Sequence, residues 1–205
     1  MKTKQTMAKA VCTLATLALV SSAAFSYFTD KEEKTNTFTI GSVDVVLEEP
    51  SWPGDDPTDE SEKDLVPCEV VAKDPQITNT GKNDAYVYLE VTLPKATVVT
   101  ANEDGTKNEA QNQALFTYTI NDGWTLMDEY TAEDSTKVTY VYAYNQVLSP
   151  LETTQALFNE VTLINLIEGQ DIEMTQNIDI VAKAIQKDGV GSIQEAYSKL
   201  NNQLA

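Results

Sequence analysis

The side chains best placed to do chemistry are acids. The 205-residue sequence carries 32 aspartates and glutamates against 14 lysines, with no arginine and no histidine. Asp55, Asp56, Asp59 and Glu60 are hard oxygen donors close together in sequence, and Asp104-Gly105 lies in a second acidic stretch. That chemistry would suit calcium, but neither stretch has the spacing of an EF-hand, so the ordinary reading is a solvated charge run. Characterised zinc sites lean on imidazole, and without histidine there is no H-E-x-x-H, no Ser-His pair and no Cys-His pair. Acids are abundant enough for a paired-carboxylate hydrolase, yet abundance is not a constellation. The sequence therefore points to no catalytic residues, no metal and no cofactor. Formal net charge is −18, and so acidic a chain repels phosphate backbones, which excludes nucleic acid as a partner.

Two cysteines are present, Cys12 and Cys68. Cys68 sits between Pro67 and Glu69 with no cation nearby to activate it, and the expected role is a small buried hydrophobe. Tyr86, Tyr88, Tyr140, Tyr142 and Tyr144 suggest a carbohydrate-stacking platform at first sight. Spacing by two places each set on one strand face, where cross-strand aromatic pairs stabilise a sheet without a ligand.

These groups follow an N-terminal export signal. Lys2, Lys4 and Lys9 form a positive start, Ala10 to Val20 an apolar run, and Ser21, Ser22, Ala23, Ala24 and Ser26 supply small residues for a signal peptidase. The apolar run falls short of the roughly 20 residues that span a bilayer, so residues 1–26 read as a removed signal and leave no stable membrane anchor. Cleavage between Ser26 and Tyr27 satisfies the small-x-small rule, as does cleavage before Phe25; the first leaves Tyr27-Phe28-Thr29-Asp30 as the new start. Loss of the three signal lysines takes the formal charge from −18 to −21 and leaves Cys68 alone.

Residues 27–205 are one domain's worth of chain with β patterning almost throughout. Short strands are expected at Asn36 to Ile40 and Val43 to Leu47, separated by Gly41-Ser42. Residues 49–65 hold Pro50, Pro53, Gly54 and Pro57 among Glu49, Asp55, Asp56, Asp59, Glu60, Glu62 and Asp64, and read as an exposed acidic loop. From Ala85 to Leu93 the alternation is clean: Ala85, Val87, Leu89, Val91 and Leu93 face one way, Tyr86, Tyr88, Glu90 and Thr92 the other. Pro94 should end that strand or place its tip on an edge. Ala101 to Gln113 is polar and loop-like. Further strands are expected at Leu115 to Ile120, Trp124 to Glu129, Lys137 to Tyr144, Asn159 to Ile164 and, longest, Asp171 to Ile185. Asn121-Asp122-Gly123 carries a hairpin signal. A helix over 192–204 starts at the cap Ser192 and buries Ile193, Ala196, Tyr197 and Leu200. Many short strands with turn punctuation argue for an antiparallel β-sandwich.

Four stretches share an order with a known family. They are Tyr27-Phe28-Thr29-Asp30 after the signal, Asp74 to Val87, Leu148 to Thr154 with Leu157-Phe158, and Ala182 to Gly189 followed by a helix with Glu195-Ala196-Tyr197. In these the chain resembles the TasA/camelysin family of exported biofilm-matrix proteins. The resemblance implies a jelly-roll sandwich and a non-catalytic fibre subunit at the cell surface or in the biofilm matrix. It also implies that the segment 27–36, anchored by Tyr27, Phe28, Thr29 and Asp30, is donated as a strand to the next copy, giving a head-to-tail filament. An accessory or anchoring matrix protein is a further implied partner. Camelysin-like proteins have also been classed as metallopeptidases, which makes a secreted metallopeptidase the competing reading; a surface module binding carbohydrate or protein is a third.

Overall fold

β4 is the spine of the protein, and its alternation fixes everything around it. The computed structural model describes residues 43–52, 65–167, 169–170 and 176–204, all within one compact unit, Gly41–Ala205. Those residues form strands β1 (Val45–Glu48), β2 (Val70–Ala72), β3 (Gln76–Asn79), β4 (Ala85–Val98), β5 (Gln111–Ala114), β6 (Phe116–Thr117), β7 (Trp124–Thr131), β8 (Lys137–Tyr144), β9 (Glu160–Leu163) and β10 (Asp179–Gln186), then helix α1 (Ile193–Leu204). The expected strand at Asn36 to Ile40 lies outside the described residues, as do residues 171–175 of the long strand expected from Asp171.

All strand ladders are antiparallel. The largest sheet runs β10-β4-β8-β7, with β5 against the far end of β4; a second runs β2-β9-β6; β1 pairs with β3. On one face of β4, Ala85, Val87, Leu89 and Val91 have no exposure and Leu93 is buried, packing against Ile77, Phe116, Leu157, Phe158 and Val161 from the other strands and loops. Each such aliphatic side chain contributes roughly 1.5–3 kcal/mol by leaving water. On the opposite face Tyr86 and Tyr88 lie under α1 with Ala143, Ala196 and Leu200. The helix is all but the one expected. Ser192 Oγ accepts the Glu195 N–H at 3.2 Å, Glu195 Oε2 accepts the Gly191 N–H at 2.9 Å, and Ala196 and Leu200 bury one stripe.

Several expectations are corrected. Pro94 neither ends β4 nor lies on an edge strand. Lys95 donates to Thr136 O beside β8, so the ring of Pro94 points to the other side, where the β10 ladder has already stopped at Asp179 opposite Thr92. Asn121-Asp122-Gly123 does not make a hairpin: β6 pairs with β9 and β7 pairs with β8, so this turn carries the chain from one sheet to the other. Gly123 takes φ 91°, and a Cβ there would meet the Tyr144 ring at 3.3 Å. The loop-like stretch from Ala101 ends in β5, whose polar residues pair with β4 through backbone alone. β6 is two residues long instead of the expected run to Ile120. Asp74 to Val87 supplies two strands, β3 and the start of β4, which pair with other partners and not with each other.

Candidate assembly surface

The stretches that stand out in sequence meet in space. Residues 151–157 run along the edge of β3 away from β1: Leu151 N–H donates to Asn79 O at 2.7 Å, Thr154 N–H to Ile77 O at 2.9 Å and Leu157 N–H to Pro75 O at 2.9 Å. Asn79, with no exposure, sits at the junction. Its Nδ2 donates to Asn83 O and Leu148 O, each at 2.9 Å, and its Oδ1 accepts the Gly81 N–H at 3.0 Å. β10 then closes on the same end of β4, where Lys187 N–H donates to Asp84 O. Three of the four sequence matches thus meet at one junction, where the buried Asn79 side chain has its polar groups satisfied internally and acts as a brace.

The 49–52 turn is a second brace. Glu49 was expected in a solvated loop; instead its Oε2 pairs with Lys73 Nζ at 2.8 Å, and the Lys73 and Glu49 side chains are only 7% and 16% exposed. Trp52 stacks under the same ammonium at 4.4 Å, while Ser51 donates to Asp74 from its N–H at 2.7 Å and from its Oγ at 2.9 Å. A buried charge needs such a partner, and local sequence cannot announce one 24 residues away.

Beside this turn opens a groove of about 320 Å³ lined by apolar Trp52, Leu65, Val71, Phe116, Val161 and Ile178 and by polar Lys73, Gln176, Asn177 and Asp179. Among the described residues β2, β10 and β1 each pair on one side only; β2 and β10 give Val71 and Asp179 to the groove, and β1 passes β10 within 8 Å between Cα atoms without a ladder. The core-facing residues of β10 (Ile180, Ala182 and Ala184) are only partly buried, unlike their partners on β4. The edges differ in protection. β7 carries a bulge between Leu126 and Asp128 followed by Glu129, and β10 carries Asp179 and Lys183; both devices discourage strand pairing. β2 reads Val-Val-Ala with no charge, and Val70 is 52% exposed next to exposed Val66 and Leu65.

The sequence-picked residues fare unevenly. Ser26, Tyr27, Phe28, Thr29 and Asp30, and the calcium candidates Asp55, Asp56, Asp59 and Glu60, lie outside the described residues. Asp104 spends one carboxylate oxygen on the Thr106 N–H and Oγ, bonds that hold its pKa below the usual value. The five tyrosines are no platform. Tyr86 and Tyr88 lie beneath α1, whereas Tyr140, Tyr142 and Tyr144 face the opposite layer, where Tyr142 meets the Tyr118 hydroxyl at 3.0 Å. Burial and that contact push the Tyr118 pKa well up. Cys68, expected buried, is exposed at a turn with φ 66°. The edges themselves were missed by residue-type reasoning; the uncharged Val70-Val71-Ala72 was the available signal.

Among the described residues, no three of Cys, Asp and Glu come together as metal ligands. With no histidine anywhere in the sequence, the donor set does not fit a peptidase zinc. No described helix is long and apolar enough to cross a membrane. Residues 1–189 match the family model described as Camelysin metallo-endopeptidase. No curated protein and no solved structure matches the chain.

Proposed function

As the chain belongs to the camelysin family, we propose that it is a secreted, non-catalytic structural protein of the cell surface or biofilm matrix, assembling into fibres by strand donation. The supporting observation is that, among the described residues, β2 and β10 each have one unpaired edge beside a largely apolar groove. An edge offers N–H and C=O groups to an incoming strand, and a groove beside it holds alternate side chains. The processed N-terminus supplies such a strand, with Tyr27 and Phe28 as its apolar anchors. A contact made by one end of a copy on the body of the next does not close on itself and propagates as a filament. The all-antiparallel sheets and the turn at Asn121 to Gly123 that switches between them support reading the sandwich as a jelly roll.

The non-catalytic reading rests on ligand chemistry. A metallo-endopeptidase of the type named for the family needs donors and a base that this sequence does not supply as imidazole. Cell-surface or matrix residence follows from the signal-like residues 1–26. The test is truncation. Exported protein lacking Tyr27 to Lys34 should remain a folded monomer, because the described strands begin at Val45, yet form no filaments by electron microscopy. Filaments of normal yield from the truncated chain overturn the assembly reading.

A further inference from the structure

We propose that Leu151 is a knob by which one copy of the chain seats in the groove of the next, a contact separate from strand donation. It rests on reading the chain as a self-assembling subunit and adds a second junction to that reading. Leu151 is the most exposed large hydrophobic side chain among the described residues, at 82%, and it holds φ 67°. It is the third residue of the turn Ser149-Pro150-Leu151-Glu152, closed by Glu152 N–H donating to Ser149 O at 3.1 Å. A turn with proline second and positive φ third takes glycine or asparagine there, and a branched side chain strains it. The surroundings hold that strain in place. Leu151 N–H donates to Asn79 O at 2.7 Å, Ser149 N–H donates to Glu152 Oε2 at 3.0 Å, and Leu148 exchanges both backbone bonds with Ala85. A lone exposed leucine is ordinary. One fixed from several sides in a conformation that disfavours it, with most of its surface in water, is a presented side chain.

The seat lies at the other end of the molecule. Lys73 N–H donates to Asn159 O, Leu157 N–H to Pro75 O, Thr154 N–H to Ile77 O and Leu151 N–H to Asn79 O, so residues 71–79 and 151–161 run side by side. Val71 and Val161 are paired at one end of this ribbon and line the groove. Leu151 stands at the other end, beside Asn79, roughly 25 Å of extended chain away. Trp52, Leu65, Phe116 and Ile178 complete the apolar lining of the groove. Its ionic groups already have partners, Lys73 in Glu49 and Asp179 in Lys137, so the ligand that fits is uncharged and apolar. A leucine side chain is such a ligand, and it fits within a groove of about 320 Å³. Knob and seat at opposite ends of one chain cannot meet within it. Joined between copies they give an open, head-to-tail series.

The experiment sets strain against association. Leu151→Asn suits both the positive φ and the exposed site, so the thermal midpoint should be no lower than that of the parent. Filament yield should nonetheless fall roughly tenfold, as the loss of one buried leucine contact per junction implies. Leu151→Met keeps an apolar tip and should assemble as the parent does, as should Leu126→Asn at an exposed leucine of β7. Normal yield from Leu151→Asn overturns the knob, and a lowered midpoint overturns the strain from which it is argued. Truncation of Tyr27 to Lys34 keeps the two readings apart: normal filaments there overturn strand donation alone, whereas a parent that forms no filaments overturns both. Charge rescue identifies the seat. Leu151→Asp and Leu65→Lys should each abolish filaments, and the double variant should recover them, because opposite charges then meet at every junction. A double variant that stays unassembled overturns the groove as the seat.

Discussion

Strand β4 has neighbours on both edges for most of its length, a sheet-facing layer on one face and α1 on the other, while β2 has β9 on one edge and no ladder on the other among the described residues. Both are rich in valine. In β4 all three valines are wholly buried; in β2 Val70 is half in water and Val71 walls an open groove. The same side chain completes a core in one place and, among the described residues, lies on an unpaired edge in the other. Whether a residue serves folding or association is decided by what its strand still lacks, not by its type.

Substitutions can break that comparison, the most damaging at Lys73. Lys73→Met leaves the Glu49 carboxylate buried without its partner, and a loss of about 3–5 kcal/mol by urea unfolding is expected. Lys137→Met removes an ion pair with Asp179 whose side chains are about half exposed, and stability should move by no more than about 0.5 kcal/mol. Equal losses would mean that burial does not separate the two pairs. Next come the aliphatics. Leu89→Ala should cost about 2–5 kcal/mol, and Ile180→Ala on half-open β10 about 1–2 kcal/mol, because part of that surface already meets water. A larger loss at Ile180 would contradict the incomplete burial of β10.

The smallest effect is on pH. Burial raises the pKa values of Tyr118 and Tyr142 above the unfolded value of about 10. The folded state then keeps protons that the unfolded chain releases, so stability is intact below about pH 10 and declines above it. Thermal midpoints across that range should show the decline, and Tyr118→Phe should make it shallower; an unchanged slope would remove these hydroxyls as its source.

Much of β4 was legible because its two faces differ, aliphatic toward the core and Tyr86, Tyr88, Glu90 and Thr92 on the other, and that contrast imprints a period of two from Ala85 to Leu93. β8 was legible for the same reason, and α1 because Ser192 and the Ile193, Ala196, Leu200 stripe are local. Pairing partners were not. An Asp-Gly turn satisfies the backbone equally whether the flanking strands share a sheet, so Asn121 to Gly123 looked like a hairpin; Asn121 in fact reaches Ala156 O through its Nδ2. The faces of the tyrosines were legible within each strand, but the phase between β4 and β8 depends on register. Cys68 shows the limit of composition: its positive φ holds it at a turn where burial is not on offer.

The ladder between β4 and β10 joins residues as far apart as Ala85 and Gln186. Such contact order makes folding slow, since most of the polymer must be synthesised and its entropy surrendered before the central sheet can close. The spine of the sheet cannot be completed until nearly the last residues have been made, so no N-terminal portion of the chain that stops short of β10 holds the whole of its central sheet.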